Sequence, residues 1–149
     1  MPTPLAFRCR RCGAMNRMTS LQPGREPICG KCRADLDVSG APAEVDLAAL
    51  DRAVAASPVP VLVDFWAPWC APCRGFAPVL DHFGREEAGR FLLLKVDTEA
   101  HPDAAARFRI QAIPTLVAFR GGREVDRASG ALPPVELRRF ASVVAAGAG

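Results

Sequence analysis

The chain has 149 residues, half of them hydrophobic and 23% charged, a composition that fits a folded globular protein and excludes a disordered or collagen-like one. This length holds one ordinary domain, or a domain of about 100 residues with a small appendage. The net charge of +3 is too small to argue for nucleic acid, and its excess lies in residues 1–40, where seven Arg/Lys face three acids.

The first eight residues lack the apolar core of a secretory signal, and Arg8, Arg10 and Arg11 follow at once. No run approaches the roughly 18 apolar residues of a membrane span. The expectation is a soluble cytoplasmic protein with no membrane partner. In a reducing compartment, cysteine pairs more often bind metal or do redox work than form structural disulfides.

Cys9-Arg-Arg-Cys12 and Cys29-Gly-Lys-Cys32 are two C-x₂-C pairs separated by sixteen residues, a spacing typical of four-cysteine zinc sites. Gly13 and Gly30 are expected to ease the two tight turns. The larger apolar residues here, Leu5, Phe7, Met15, Met18, Leu21, Ile28, Leu36 and Val38, cannot bury much by themselves. A unit this small usually needs a metal, disulfides or a partner to stay folded. One structural zinc per chain, held by Cys9, Cys12, Cys29 and Cys32, would supply on the order of 10 kcal/mol. Two disulfides, or four unrelated buried cysteines, are the competing readings. The basic neighbours Arg8, Arg10, Arg11, Lys31 and Arg33 offset the −2 charge of a tetrathiolate zinc centre more simply than they build a nucleic-acid patch. The expected division is a four-cysteine zinc-binding domain over residues 1–40 and a second domain over 41–149, with residues 39–46 as linker and a short edge strand possible within them.

In the second domain, Asp46 is an N-cap candidate for a helix over Leu47 to Ala56 that Ser57-Pro58 ends. Val59 to Phe65 reads as a buried strand interrupted by Asp64. Cys70-Ala-Pro-Cys73 then opens a helix to about Arg90, with a kink expected at Pro78. A strand over Phe91–Asp97, a short helix from Pro102 to about Arg109, a hairpin of Thr115–Arg120 and Arg123–Ala128 around Gly121-Gly122, and a helix from Pro133-Pro134 through Val144 complete the order. This alternation predicts an α/β fold, a mixed central sheet with helices on both faces. Cys70 and Cys73, at a strand-to-helix turn, read as a redox dithiol. As a bare C-x-x-C they could equally have joined a metal site, but the other four cysteines make a complete set without them.

Val63-Asp-Phe-Trp-Ala-Pro-Trp-Cys-Ala-Pro-Cys73 and Ala112-Ile-Pro-Thr115, in this element order, resemble the thioredoxin family over roughly residues 42–146. With the four-cysteine segment, the whole chain resembles its thioredoxin 2 type, the zinc-containing bacterial thioredoxins. The resemblance implies a thioredoxin fold preceded by a small zinc-ribbon-like domain. It also implies a monomeric protein-disulfide reductase with no organic cofactor, recharged by an NADPH-dependent thioredoxin reductase and acting on protein disulfides.

By the same resemblance, Cys70 is the attacking thiol and Cys73 the resolving one. Asp64 is the buried acid that takes the Cys73 proton through water, Lys95 its partner, and Pro114 the cis-proline facing the dithiol. Trp69, Ala71, Pro72, Ile113, Gly130 and Ala131 line the substrate groove, and Trp66 packs beneath it. Asp64 as a merely structural, backbone-bonded residue is the alternative. Ala71 stands where the family usually has glycine. His82 and His101 read as surface residues. The competing functions are an oxidase or isomerase on the same fold, and a zinc-ribbon binding module with a redox-regulatory thioredoxin-like domain.

Overall fold

A computed structural model describes residues 4–147; the outermost ends of the two expected domains, 1–3 and 148–149, lie outside the described residues. The N-terminal unit is built on an antiparallel hairpin, β1 (Leu5–Arg8) and β2 (Met15–Met18), which the sequence reading did not anticipate. Two four-residue segments are too short to show a period. What pairs them is the first cysteine turn between them, closed by the Gly13 N–H donating to the Cys9 carbonyl at 2.8 Å.

The second cysteine turn repeats this geometry. The Arg33 N–H donates to the Cys29 carbonyl at 3.0 Å, as Gly13 does to Cys9. The expectation for Gly13 holds, with φ +81°, but that for Gly30 does not: the left-handed position of the second turn is Arg33, φ +69°. The equivalent of Gly13 is the residue after the second cysteine, and here it carries a side chain.

Beyond the linker come β3 (Ala43–Glu44), α1 (Leu47–Ala56), β4 (Val61–Trp66), α2 (Ala71–Glu86), β5 (Leu92–Asp97), α3 (Pro102–Arg107), β6 (Thr115–Arg120), β7 (Arg123–Ser129) and α4 (Pro134–Ala146). The sheet runs β3-β5-β4-β6-β7, with β3, β5 and β4 parallel and β6 and β7 antiparallel to their neighbours. It is the mixed sheet that the resemblance implies. Asp46 caps α1, its side chain accepting from the Ala49 N–H at 2.8 Å.

Alternation along the strands divides the core. Val61, Val63 and Phe65 face α1 and α3 with Leu50, Ala53, Leu94, Val96, Ala104 and Phe119. Leu62 faces α2 and α4 with Phe76, Leu80, Leu116, Leu137 and Val144. Period-2 geometry therefore sends Asp64 to the α2 side, and Lys95, opposite it in register, to the same side.

α2 runs through Pro78 as one helix but stops at Glu86, four residues before the expected end. Its exit turn is set from outside. The Ala6 N–H donates to the Gly89 carbonyl at 2.9 Å, and a Cβ on Gly89, which has φ +84°, would lie 2.8 Å from Leu5 and from Phe7. Ala88 joins the small apolar core of the N-terminal unit, formed by Phe7, Cys9, Cys29 and Leu36. The linker crosses the same end of α2, where Gly40 and Gly84 meet backbone to backbone. The N-terminal unit is thus seated on the C-terminal end of α2, and the C-x-x-C turn opens the other end.

Candidate active site and metal centre

Cys70 is the N-cap of α2, and its Sγ accepts the Cys73 N–H at 3.2 Å. The first turn of a helix leaves backbone N–H groups without intrahelical acceptors, and the helix dipole adds positive potential there, so a Cys70 thiolate is favoured. The two cysteines are joined in a disulfide with their Cα atoms 5.2 Å apart. Both are buried, 4% and 2% exposed, whereas Trp69 beside them is 66% exposed. Ala71 and Pro72 sit exposed in the first turn of the helix.

Opposite the dithiol, the Ile113–Pro114 peptide is cis, as the resemblance implies. The Ile113 carbonyl oxygen lies 3.9 Å from Cys70 Sγ, and Ile113 packs with Ala67, Cys70, Cys73 and Trp66. The Gly130 N–H donates to the Pro114 carbonyl at 2.8 Å, tying the exposed Gly130–Ala131 turn to the same edge. Three loops from separate parts of the chain therefore converge at one edge of the dithiol turn.

Asp64, on β4 two residues before Trp66, is fully buried and neither carboxylate oxygen has a hydrogen-bond partner. No backbone group bonds either oxygen, which is not the arrangement that the structural alternative expects. Burial drives its carboxyl up from 3.8 to about 7, against the lowering influence of Lys95 and with a further raising influence from Glu44. Lys95 does not form an ion pair with it. Its Nζ lies 4.4 Å above the Trp66 ring, a cation–π contact, and it acts on Asp64 from a distance. Trp66 Nε1 is likewise buried without a partner. His82 is exposed and 2.9 Å from Glu86 on α2, and His101 sits half-buried at the start of α3.

The four remaining cysteines converge. Their Sγ atoms all lie within 4.8 Å of one another, with Cys9–Cys32 and Cys12–Cys29 at 3.6 Å. A tetrahedral ion with metal–sulfur bonds of about 2.3 Å requires sulfur–sulfur edges of about 3.8 Å. The set therefore fits a four-coordinate zinc, and no disulfide joins any of the four. Backbone N–H groups of Cys32 and Lys31 pull the Cys29 thiol down to about 6, toward the thiolate a metal needs. Asn16, which the sequence reading passed over, bridges the two halves of this centre. Its Nδ2 donates to Cys29 Sγ at 3.6 Å and its Oδ1 accepts the Gly30 N–H at 2.9 Å. Glu44 was also missed as a neighbour of the buried acid, having been assigned to the linker. A lone acid before Val45 carries no sign of which strand it will face.

Among the described residues, no helix is long and apolar enough to cross a membrane. The family model described as Thioredoxin matches residues 41–143. Thioredoxin 1 of Nostoc sp. is 45% identical over 97 residues, covering 65% of this chain and 91% of that protein. Thioredoxin C-3 of Corynebacterium nephridii is 37% identical over 134 residues, 89% of this chain and 90% of that protein. An alignment of that length cannot be contained in residues 41–149, so it runs into the four-cysteine segment. The crystal structure of Fasciola hepatica thioredoxin superposes with a TM-score of 0.63 at 33% identity, covering 68% of this chain and 96% of that one.

Proposed function

The chain belongs to the thioredoxin family, with the Cys70–Cys73 pair of a dithiol–disulfide oxidoreductase, and from that premise we propose that it reduces protein disulfides. Cys70 thiolate attacks one sulfur of a substrate disulfide, forming a mixed disulfide and expelling the first substrate thiolate. Cys73 then gives up its proton and attacks Cys70 Sγ. The second substrate thiolate leaves, and the two electrons it carries have come from the Cys70–Cys73 dithiol, now oxidised. An NADPH-dependent thioredoxin reductase returns them.

Asp64 receives the Cys73 proton, and its carboxyl near 7 is matched to accepting and returning a proton at neutral pH. Lys95 lowers the cost of ionising Asp64. Trp69, Ala71, Pro72, Ile113, Pro114, Gly130 and Ala131 receive the substrate, whose extended backbone pairs along Ile113. The observation that carries this reading is the position of Cys70, capped by the Cys73 N–H and faced by the Ile113 carbonyl.

The subtype reading is the zinc-containing thioredoxin 2 type, with a zinc-binding domain over 1–40 and a thioredoxin domain over 41–149. Its support is the fit of the four thiolates to a tetrahedral ion and the long alignment to Thioredoxin C-3. Cys9, Cys12, Cys29 and Cys32 would hold the ion in a closed site that leaves no position for substrate, so its chemistry is structural. We place the protein in the cytoplasm as a monomer.

The test is reduction of insulin disulfides with NADPH and thioredoxin reductase, with zinc measured in the same preparation. Wild type should turn over, Cys70→Ser should not, and Cys73→Ser should accumulate a mixed disulfide. An inactive wild type overturns the reductase reading, and zinc far below one per chain overturns the metal assignment.

A further inference from the structure

Three charged side chains lie in one row across the sheet. Glu44 on β3 is in register with Lys95 on β5, and Lys95 is in register with Asp64 on β4. Residues in register on neighbouring strands point to the same face, so all three project toward the α2 side, with signs minus, plus, minus. Leu116, the next residue of the row on β6, is apolar and fully buried. The row therefore ends at Asp64 on its inner side and opens to solvent at Glu44. Strands are spaced about 4.8 Å apart, so the two carboxylates stand about 10 Å apart at the backbone with one ammonium between them.

We propose that Glu44 is a positioning residue for the dithiol chemistry: from the sheet edge it competes with Asp64 for the single charge of Lys95, and so governs how readily the buried acid takes up and releases a proton. This rests on the reductase reading only for its consequence, since the charge row exists whatever the substrate.

The groups around the row support it. Lys95 Nζ sits over the ring of Trp66, at 4.4 Å, and makes no ion pair with Asp64. The rest of the α2 side of the sheet is apolar, lined by side chains of α2, α4 and β6 with no further charged group among them. Around Glu44 are Lys95, Asp97, Trp66 and His101. Arg8, Arg10 and Asp46 line the shallow hollow beside it. Charge moves both ways along the row: Glu44 raises the Asp64 carboxyl, and Lys95 lowers both acids. With Glu44 neutral, Lys95 has one carboxylate to serve instead of two.

The test is direct titration of the Asp64 carboxyl by carbon NMR in the full-length protein, for wild type, Glu44→Gln and Glu44→Asp, together with the pH profile of mixed-disulfide resolution. Glu44→Gln should move the Asp64 midpoint and the acid limb of the profile to lower pH by about half a unit, and Glu44→Asp should leave both near wild type. Glu44 is exposed on a two-residue edge strand, so unchanged circular dichroism and thermal midpoint are expected for both variants. A midpoint that stays put or rises in Glu44→Gln overturns the proposal. So does an equal shift from Glu44→Gln in a Lys95→Gln background, because Glu44 would then act without the lysine. The titration needs no turnover. A chain that fails to reduce insulin but shows the shift refutes the reductase reading and leaves the row intact.

Discussion

Burial with no donor to either oxygen carries the Asp64 carboxyl from 3.8 to about 7, so the folded protein keeps a proton that the unfolded chain releases. A raised carboxyl costs stability once it must ionise. Stability therefore falls as pH rises from about 4 to about 7, and the full cost remains above that, at most about 4 kcal/mol. Asp64→Asn should flatten this slope, measured by urea unfolding at pH 4 and pH 8. The same variant should slow mixed-disulfide resolution at neutral pH by about tenfold or more, read by stopped flow. Cys70 and Cys73 were legible because their spacing and their place at a strand end suffice to mark a dithiol. The partners of Asp64 were not, because which residue stands across from it depends on register. Lys95 was reached only through the family resemblance and Glu44 not at all. Even Lys95 turned out to be engaged with the Trp66 ring rather than paired with Asp64.

Among the elements, the boundaries of α1 and the capping role of Asp46 followed from local chemistry and match the structure. The end of α2 did not, because a lone glycine such as Gly89 can stop a helix or be passed through, as Gly75 and Gly84 are in this one. The turn at Gly89 packs against the β1–β2 hairpin, whose Leu5 and Phe7 leave no room there for a side chain. Gly84 shows the same dependence on a distant segment. A methyl there would press into the backbone of Gly40 and the side chain of Leu93, neither of which can move freely. Gly84→Ala should cost about 1–3 kcal/mol in chemical denaturation, whereas Gly75→Ala in the same helix, with open space at its Cβ, should be neutral or slightly stabilising. At the sheet's outer edge, β7 is exposed along almost its whole length and carries Arg123, Glu124, Asp126 and Arg127. Such a charged, bulged strand discourages pairing with another sheet, which agrees with the monomer proposed above.

For the whole molecule, the mixed sheet and its helices on both faces were readable from the order of elements, while the seating of one unit on the other was not. Among the described residues, the N-terminal unit buries Ala6, Phe7, Leu36 and two cysteines of its own beside a few smaller contacts, too little apolar surface to hold a fold of this size. Removing one ligand of the proposed zinc, as in Cys29→Ser, should therefore release protection of residues 5–38 in hydrogen exchange. The amides of β4, β5 and β6 should remain protected, and insulin reduction should stay within about twofold of the starting rate.

The helix between the two units is 16 residues long, about 24 Å from the dithiol turn to the end on which the cysteine-rich unit sits. That separation makes α2 a stalk with a handle at one end and a reagent at the other. A bead or surface gripping the handle would leave the reactive sulfur facing outward into solution. Anchored through its first residues, the protein should treat a large, slowly diffusing disulfide much as the free protein does. Anchored through the Gly130–Ala131 turn, it should still react with a small dithiol reductant while excluding bulky substrates.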